Sequence, residues 1–251
     1  MGVNIGAGQG FLDFGHSALF LLGGGVAFAT MLAFAFHEPG AEPARDDPSP
    51  AMALAGMGLL LAGSVGWLLN QPLVDFEAFS PTLVLVNLWL AAAAGSLPYL
   101  LLALAGGRFP RPLLAVRGLA AGWVAGWAAA PFAAPGELLL VGLGAGLLSV
   151  LASAALQLLS RQHDAGETVA MLGLPAFWGL LAAGIFAPTP GQLQAQLIGA
   201  VILFLLAFSV GSVFIVPLVV LTTRTAPEPR RQTEATGAAQ REGSVAVEER
   251  P

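Results

Sequence analysis

Eight residues carry polar or charged groups into or beside long apolar runs: Asp13, His16, Asn70, Asn87, Arg117, Gln157, Asp164 and Glu167. Such groups are costly inside a bilayer and mark binding or conduction paths. On a helix, the Asp13–His16 spacing would put a carboxylate and an imidazole on one face. That pair alone offers two ligands, and no third is near in sequence, so neither a metal nor a cofactor is expected. Asp13 fits equally well at a helix start or at a membrane interface. Asp164 and Glu167 precede an apolar run, where carboxylates favour the free N–H groups of a first helical turn. Arg117 lies near the end of its run and can snorkel to the interface. His37 and His163 are expected to fall in loops. The chain has no Ser-His-Asp set, no paired carboxylates deep in a run and no cysteine, so no enzyme is expected. It also has no lysine, which excludes a retinal Schiff base.

The elements that position these groups are set by composition. Apolar types make up 56% of the 251 residues and charged types only 10%, against about a quarter in an average soluble chain. Mean hydropathy is +0.78. No charged shell can be built around such a chain, and disorder is excluded by its apolar content. Seven continuous runs approach the ~20 residues that a helix needs to cross a bilayer: 14–36, 51–69, 82–105, 113–130, 138–159, 168–187 and 197–222. They do not alternate with period two, so helices are expected rather than barrel strands. Pro98, Pro175 and Pro217 fall inside runs, where a bundle tolerates kinks. The expected fold is an all-α polytopic membrane helix bundle over residues 1–223. Residues 224–251 lack an apolar stretch and read as a disordered tail.

The ten arginines set an orientation. Arg45, Arg108, Arg111, Arg117 and Arg161 lie in or beside odd-numbered loops, and Arg224, Arg230, Arg231, Arg241 and Arg250 lie in the tail. All fall on one side of a seven-span chain. The positive-inside rule then gives an outside N-terminus and a cytoplasmic C-terminus. The first arginine is Arg45, so the first span reads as an uncleaved anchor. The expected location is the cell membrane, multi-pass, with the lipid bilayer as partner. Arginines spread in this way make no nucleic-acid face.

Gly118, Gly122 and Gly126 recur every fourth residue, as do Gly142 and Gly146. Small residues on one face allow close helix approach, within one bundle or between copies. Gly142, Gly144 and Gly146 sit inside an apolar run without a preceding strand, so they form no nucleotide loop. The five tryptophans lie in or near runs and read as interface anchors or core.

Several segments together resemble the ammonium transporter family, which includes the Rhesus-type channels. Gly10-Phe11-Leu12-Asp13-Phe14-Gly15 resembles the start of the family's fifth span. Val86-Asn87 and Leu90-Ala91-Ala92-Ala93-Ala94-Gly95 resemble the seventh. Arg117-Gly118-Leu119-Ala120-Ala121-Gly122 resembles the eighth, with arginine where asparagine is usual. Phe177-Trp178-Gly179-Leu180-Leu181-Ala182-Ala183-Gly184-Ile185-Phe186-Ala187 is similar to the tenth.

The resemblance implies a partial ammonium-transporter-like fold that corresponds to the family's fifth to eleventh spans. Four spans and half the pore wall are then expected to be absent. It implies ammonium or ammonia passage, along a path marked by Asp13, Leu21, Asn70, Leu172 and Trp178. Leu21 and Leu172 stand where the family carries two facing pore histidines. Imidazoles can accept hydrogen bonds and relay protons, and leucine can do neither. The alternative is a non-transporting structural subunit or a sensor or interaction module. The resemblance also implies a homo-oligomer, a trimer in the family, or a companion chain supplying the missing helices. A cytosolic regulator at the tail is implied in the same way.

Overall fold

A computed structural model describes residues 10–37, 49–69, 80–106, 112–159, 163–187 and 190–225. Asn70 and the tail from residue 226 onward lie outside them. The apolar runs become helices α1 (Ser17–His37), α2 (Pro50–Leu69), α3 (Pro81–Ala105), α4 (Pro112–Ala129) and α5 (Pro135–Leu159). A composite rod follows: α6 (His163–Thr168), a π-helical turn (Val169–Gly173) and α7 (Leu174–Phe186). The last helix is α8 (Gln192–Thr225). Six of these rods are long and apolar enough to cross a bilayer: α1, α2, α3, α5, the α6–α7 rod and α8.

The seventh, α4, is the central helix. Its residues Ala120 to Ala129 are all buried. Facing protein rather than lipid, it uses glycine, alanine and tryptophan where its neighbours use leucine. α3 packs between α4 and α5 along both glycine rows. Gly118 and Gly122 of α4 approach the α3 backbone at Gly95 and Ala91 from one side. Gly142 and Gly146 of α5 approach the same two residues from the other side. Both rows therefore pack within this chain. Gly179 of α7 meets the backbone of Ala125 on α4 in the same manner.

Helix ends differ from the apolar runs by up to about a turn and a half, for local reasons. α5 starts at Pro135 rather than 138 because proline suits the first helical position. The Glu137 carboxylate also accepts the Ala134 N–H at 2.7 Å. α8 starts at Gln192 rather than 197, after Gly191 turns the chain at φ 81°. Pro175 produces no break in the sixth rod. It lacks an N–H and its ring crowds the carbonyl four residues back. The backbone accommodates this by widening into the π turn just ahead of it.

Asn87 fixes the N-terminal half of α3. Its side chain is fully buried, and Nδ2 donates to the carbonyls of Ala130 (2.9 Å) and Ala133 (3.0 Å) beyond the end of α4. It thus satisfies carbonyls that a helix end leaves unpaired. Tyr99 and Ser149 share a buried hydroxyl–hydroxyl bond of 2.9 Å between α3 and α5.

Candidate functional site

The residues around Asp13 are held from both directions. Phe11 is buried against Gly199 of α8. Gln192 Nε2 donates to the Gly10 carbonyl at 2.8 Å, and Gln196 Nε2 to the Leu12 carbonyl at 2.7 Å. The chain then turns at His16, whose φ of 60° is unusual for a non-glycine residue. α1 begins only after this turn. Asp13 and His16 therefore do not share a helix face, contrary to the spacing argument. Instead Asp13 reaches forward as a cap. Its Oδ1 accepts the Ser17 N–H at 2.7 Å and its Oδ2 the Ala18 N–H at 3.1 Å. Burial pushes the Asp13 carboxyl above its ordinary pKa, and the two N–H bonds pull against that shift. The His16 imidazole stands edge-on to Trp67 of α2, with ring centroids 5.5 Å apart.

This cap carries a prediction. Asp13→Ala leaves two N–H groups unpaired at the start of α1 and is expected to destabilise the protein by about 1–2 kcal/mol. Asp13→Asn should recover part of the loss, because its carbonyl still accepts one N–H. Thermal unfolding of both variants in detergent checks this. Equal stability of Asp13→Ala and the parent would refute the capping role.

Leu21 and Leu172 belong to one apolar cluster, Leu21 at its centre and Leu172 against it. Leu21 is only 1% exposed. Leu172 is half-buried and sits in the π turn. α1 crosses that turn with Gly24 directly against Gly173, backbone on backbone. The crossing is tight one turn beyond Leu21 and at the residue next to Leu172. The two leucines thus sit beside an apolar seam where α1 crosses the π turn.

Trp178 points sideways into α5. Its Nε1 donates to the Val141 carbonyl at 3.0 Å, and its ring covers Gly144. In this structure it ties α7 to α5.

Glu167 bonds across helices. Its Oε1 accepts from the Arg117 guanidinium at 2.6 Å. The two side chains are 17% and 22% exposed. Arg117, read from sequence as a snorkelling residue, is thereby a tie between α4 and α6. Asp164 lies in α6, and its side chain is outside the described residues. Sequence reading paired neither Arg117 with Glu167, 50 residues apart, nor Trp123 with Ser64. In the latter pair Trp123 Nε1 donates to Ser64 Oγ at 2.7 Å. The only available signal for the first pair was a charge of each sign, at the start of the fourth run and just before the sixth.

The Arg117–Glu167 pair is partly solvated, so its net worth is modest. Arg117→Gln, Glu167→Gln and the double variant should give a coupling of about 1 kcal/mol in thermal unfolding. Strictly additive single effects would show that the contact contributes nothing.

Among the described residues no group of three or more His, Cys, Asp or Glu is placed to hold a metal ion. What the structure brings together is a capped helix start, a closed apolar crossing and glycine-packed rods. It is a polytopic helical membrane protein.

A sequence model of the Ammonium Transporter Family matches residues 4–229. The chain belongs to that family. Among solved structures, a protein titled "Sensor Amt Protein" is similar at 22% identity, with a TM-score of 0.70, over 83% of this chain and 55% of its own. Mep2 of Saccharomyces cerevisiae is similar at 21% identity, with a TM-score of 0.68, over 87% of this chain and 53% of its own. Mep2 of Candida albicans is similar at 22% identity, with a TM-score of 0.68, over 83% and 52%. The chain spans about half the length of the structures it resembles. No curated protein sequence matches it significantly.

Proposed function

We propose that this protein takes part in ammonium or ammonia passage across a cell membrane, with a lumen completed by further helices. The observation that carries this reading is the family match over residues 4–229. Asp13, at the position implied by the family's fifth span, is supported by its place at the start of α1. The described bundle does not supply a polar path at Leu21, which is buried among apolar side chains. By family resemblance the protein assembles as a homo-oligomer, a trimer in the family, or with a companion chain. A cytosolic regulator at the tail is a further proposal from the same resemblance.

We also propose an outside N-terminus. Alternation of seven spans puts the start of α4 and the start of the sixth rod on one side, and the Arg117–Glu167 contact is consistent with that. The arginine bias makes this side cytoplasmic.

A second reading is a non-transporting structural subunit or a sensor or interaction module. The buried Leu21 and the Gly24–Gly173 crossing favour it. An ion stripped of water without partners in an apolar seam faces a prohibitive cost. The two readings separate in membrane vesicles from cells with and without this chain. After an ammonium pulse, a change of internal pH that disappears with the chain supports passage. Unchanged flux, with the protein folded in the membrane, supports the second reading.

A further inference from the structure

The sixth rod interrupts its own hydrogen-bond ladder at the π turn. In an α-helix the Ala170 carbonyl would accept the N–H of residue 174, and in a π-helix that of residue 175. The Leu174 N–H goes to the Val169 carbonyl instead. Residue 175 is proline, which has no N–H. Both helical donors therefore pass the Ala170 carbonyl by. Ala170 is 0% exposed, so bulk water does not reach it. A buried carbonyl in this position is costly, and nearly all such groups in native proteins find a partner.

Where proline interrupts a membrane helix, the freed group is paired by a neighbouring side chain or by an ordered water. Contacts along the rod show what stands beside Ala170. On α1, Gly24 meets Gly173 and Met31 meets Gly166, seven residues apart on each element, so Ala27 is level with Ala170. On α5, Gly144 meets Trp178 and Leu156 meets Gly166, twelve residues apart on each, so Ala152 is level with it. Neither alanine has a side-chain donor. On α4, the stretch between the Arg117–Glu167 and Ala125–Gly179 contacts has one side-chain donor, Trp123, and Ser64 takes it. Thr30 of α1 donates back to the Val26 carbonyl of its own helix. Small side chains on α1 and α5 and no free donor on these faces leave the role to water.

We propose that the π turn holds one ordered water, which donates to the Ala170 carbonyl. A buried water makes about three hydrogen bonds. Two further polar groups stand at this level. The Met171 carbonyl loses its α-helical donor to the same proline. The Ser153 hydroxyl of α5, next to Ala152, is buried without a partner among the described residues. The water carries the ladder of the rod across Pro175. It also places a hydrogen-bonding molecule two residues from Leu172, in a seam where neither leucine can supply one. The site follows from the backbone and holds in either reading of the function.

The test observes the carbonyl directly, with the full chain in lipid bilayers. Alanine is labelled with carbon-13 at its carbonyl, and methionine and valine with nitrogen-15. The sequence has two Ala–Met pairs, Ala51–Met52 and Ala170–Met171, and Ala51→Gly removes the first. Water-edited solid-state NMR then measures how fast magnetisation passes from water to each labelled carbonyl. Ala200–Val201 is the dry reference, since Ala200 is equally buried and lies inside α8. The Ala170 signal should build up severalfold faster than that of Ala200. Build-up at the Ala200 rate would overturn the proposal. In Ser153→Ala the fast build-up should persist, because the carbonyl still holds the water. Its loss there would make the Ser153 hydroxyl the partner and would overturn the proposal as well.

Discussion

Gly122→Leu is expected to yield no folded protein, and Gly122→Ala to cost about 1–3 kcal/mol, the usual penalty for overpacking a core. A Cβ at Gly122 would lie on the Ala91 carbonyl, closer than real Cβ contacts come. The obstacle is backbone, so no side chain can rotate away. α3 cannot retreat either, because α5 presses on Ala91 from its other side through Gly142. Relief would have to move two helix pairs together. The matched control is Gly56→Ala on α2, where an added Cβ meets nothing within 4 Å. That change should be neutral or slightly stabilising, since alanine is the better helix former by about 1 kcal/mol. Thermal unfolding and monodispersity in detergent measure both. Equal effects at Gly122 and Gly56 would refute the claim that close backbone approach holds α3, α4 and α5 together.

The same contrast shows what sequence can reveal. The rods were legible because an apolar run of membrane length has few alternatives to a helix. Gly118 to Gly126 and Gly142 to Gly146 were legible as packing rows because their four-residue spacing marks one face. Which helix each row meets was not legible. That α4 and α5 close on the same two residues of α3 depends on topology, which no local spacing encodes. Asp13 illustrates a nearer limit. A helix extrapolated back from the apolar run would include residues 14 to 16. The chain instead turns at His16, and the carboxylate reaches the N–H groups from outside the helix. The π turn was equally hidden, although Pro175 explains it once it is seen. Asn87 stood out as a polar residue in an apolar run. Its role depends on the carbonyls of Ala130 and Ala133, which come within reach only when α4 ends beside α3.

Placing histidine at Leu21 is expected to destabilise the protein by about 3 kcal/mol or more. Two effects combine. The branched aliphatic side chain leaves a packed site, which in other cores costs about 2–5 kcal/mol when truncated. The imidazole also brings nitrogens into surroundings where an unpaired buried polar group costs about 1–3 kcal/mol. Leu172→His should cost less, because Leu172 is half-buried and its side chain can shift toward the surface. The double variant tests whether the seam is closed by side chains or by backbone. Gly24 lies on Gly173 whatever residues occupy positions 21 and 172. The purified double variant in proteoliposomes should therefore show no ammonium-dependent current above that of the parent. A double variant as stable as the parent that also conducts would mean that the leucines line a lumen. The apolar seam, and the need for further helices to complete a path, would then both be wrong.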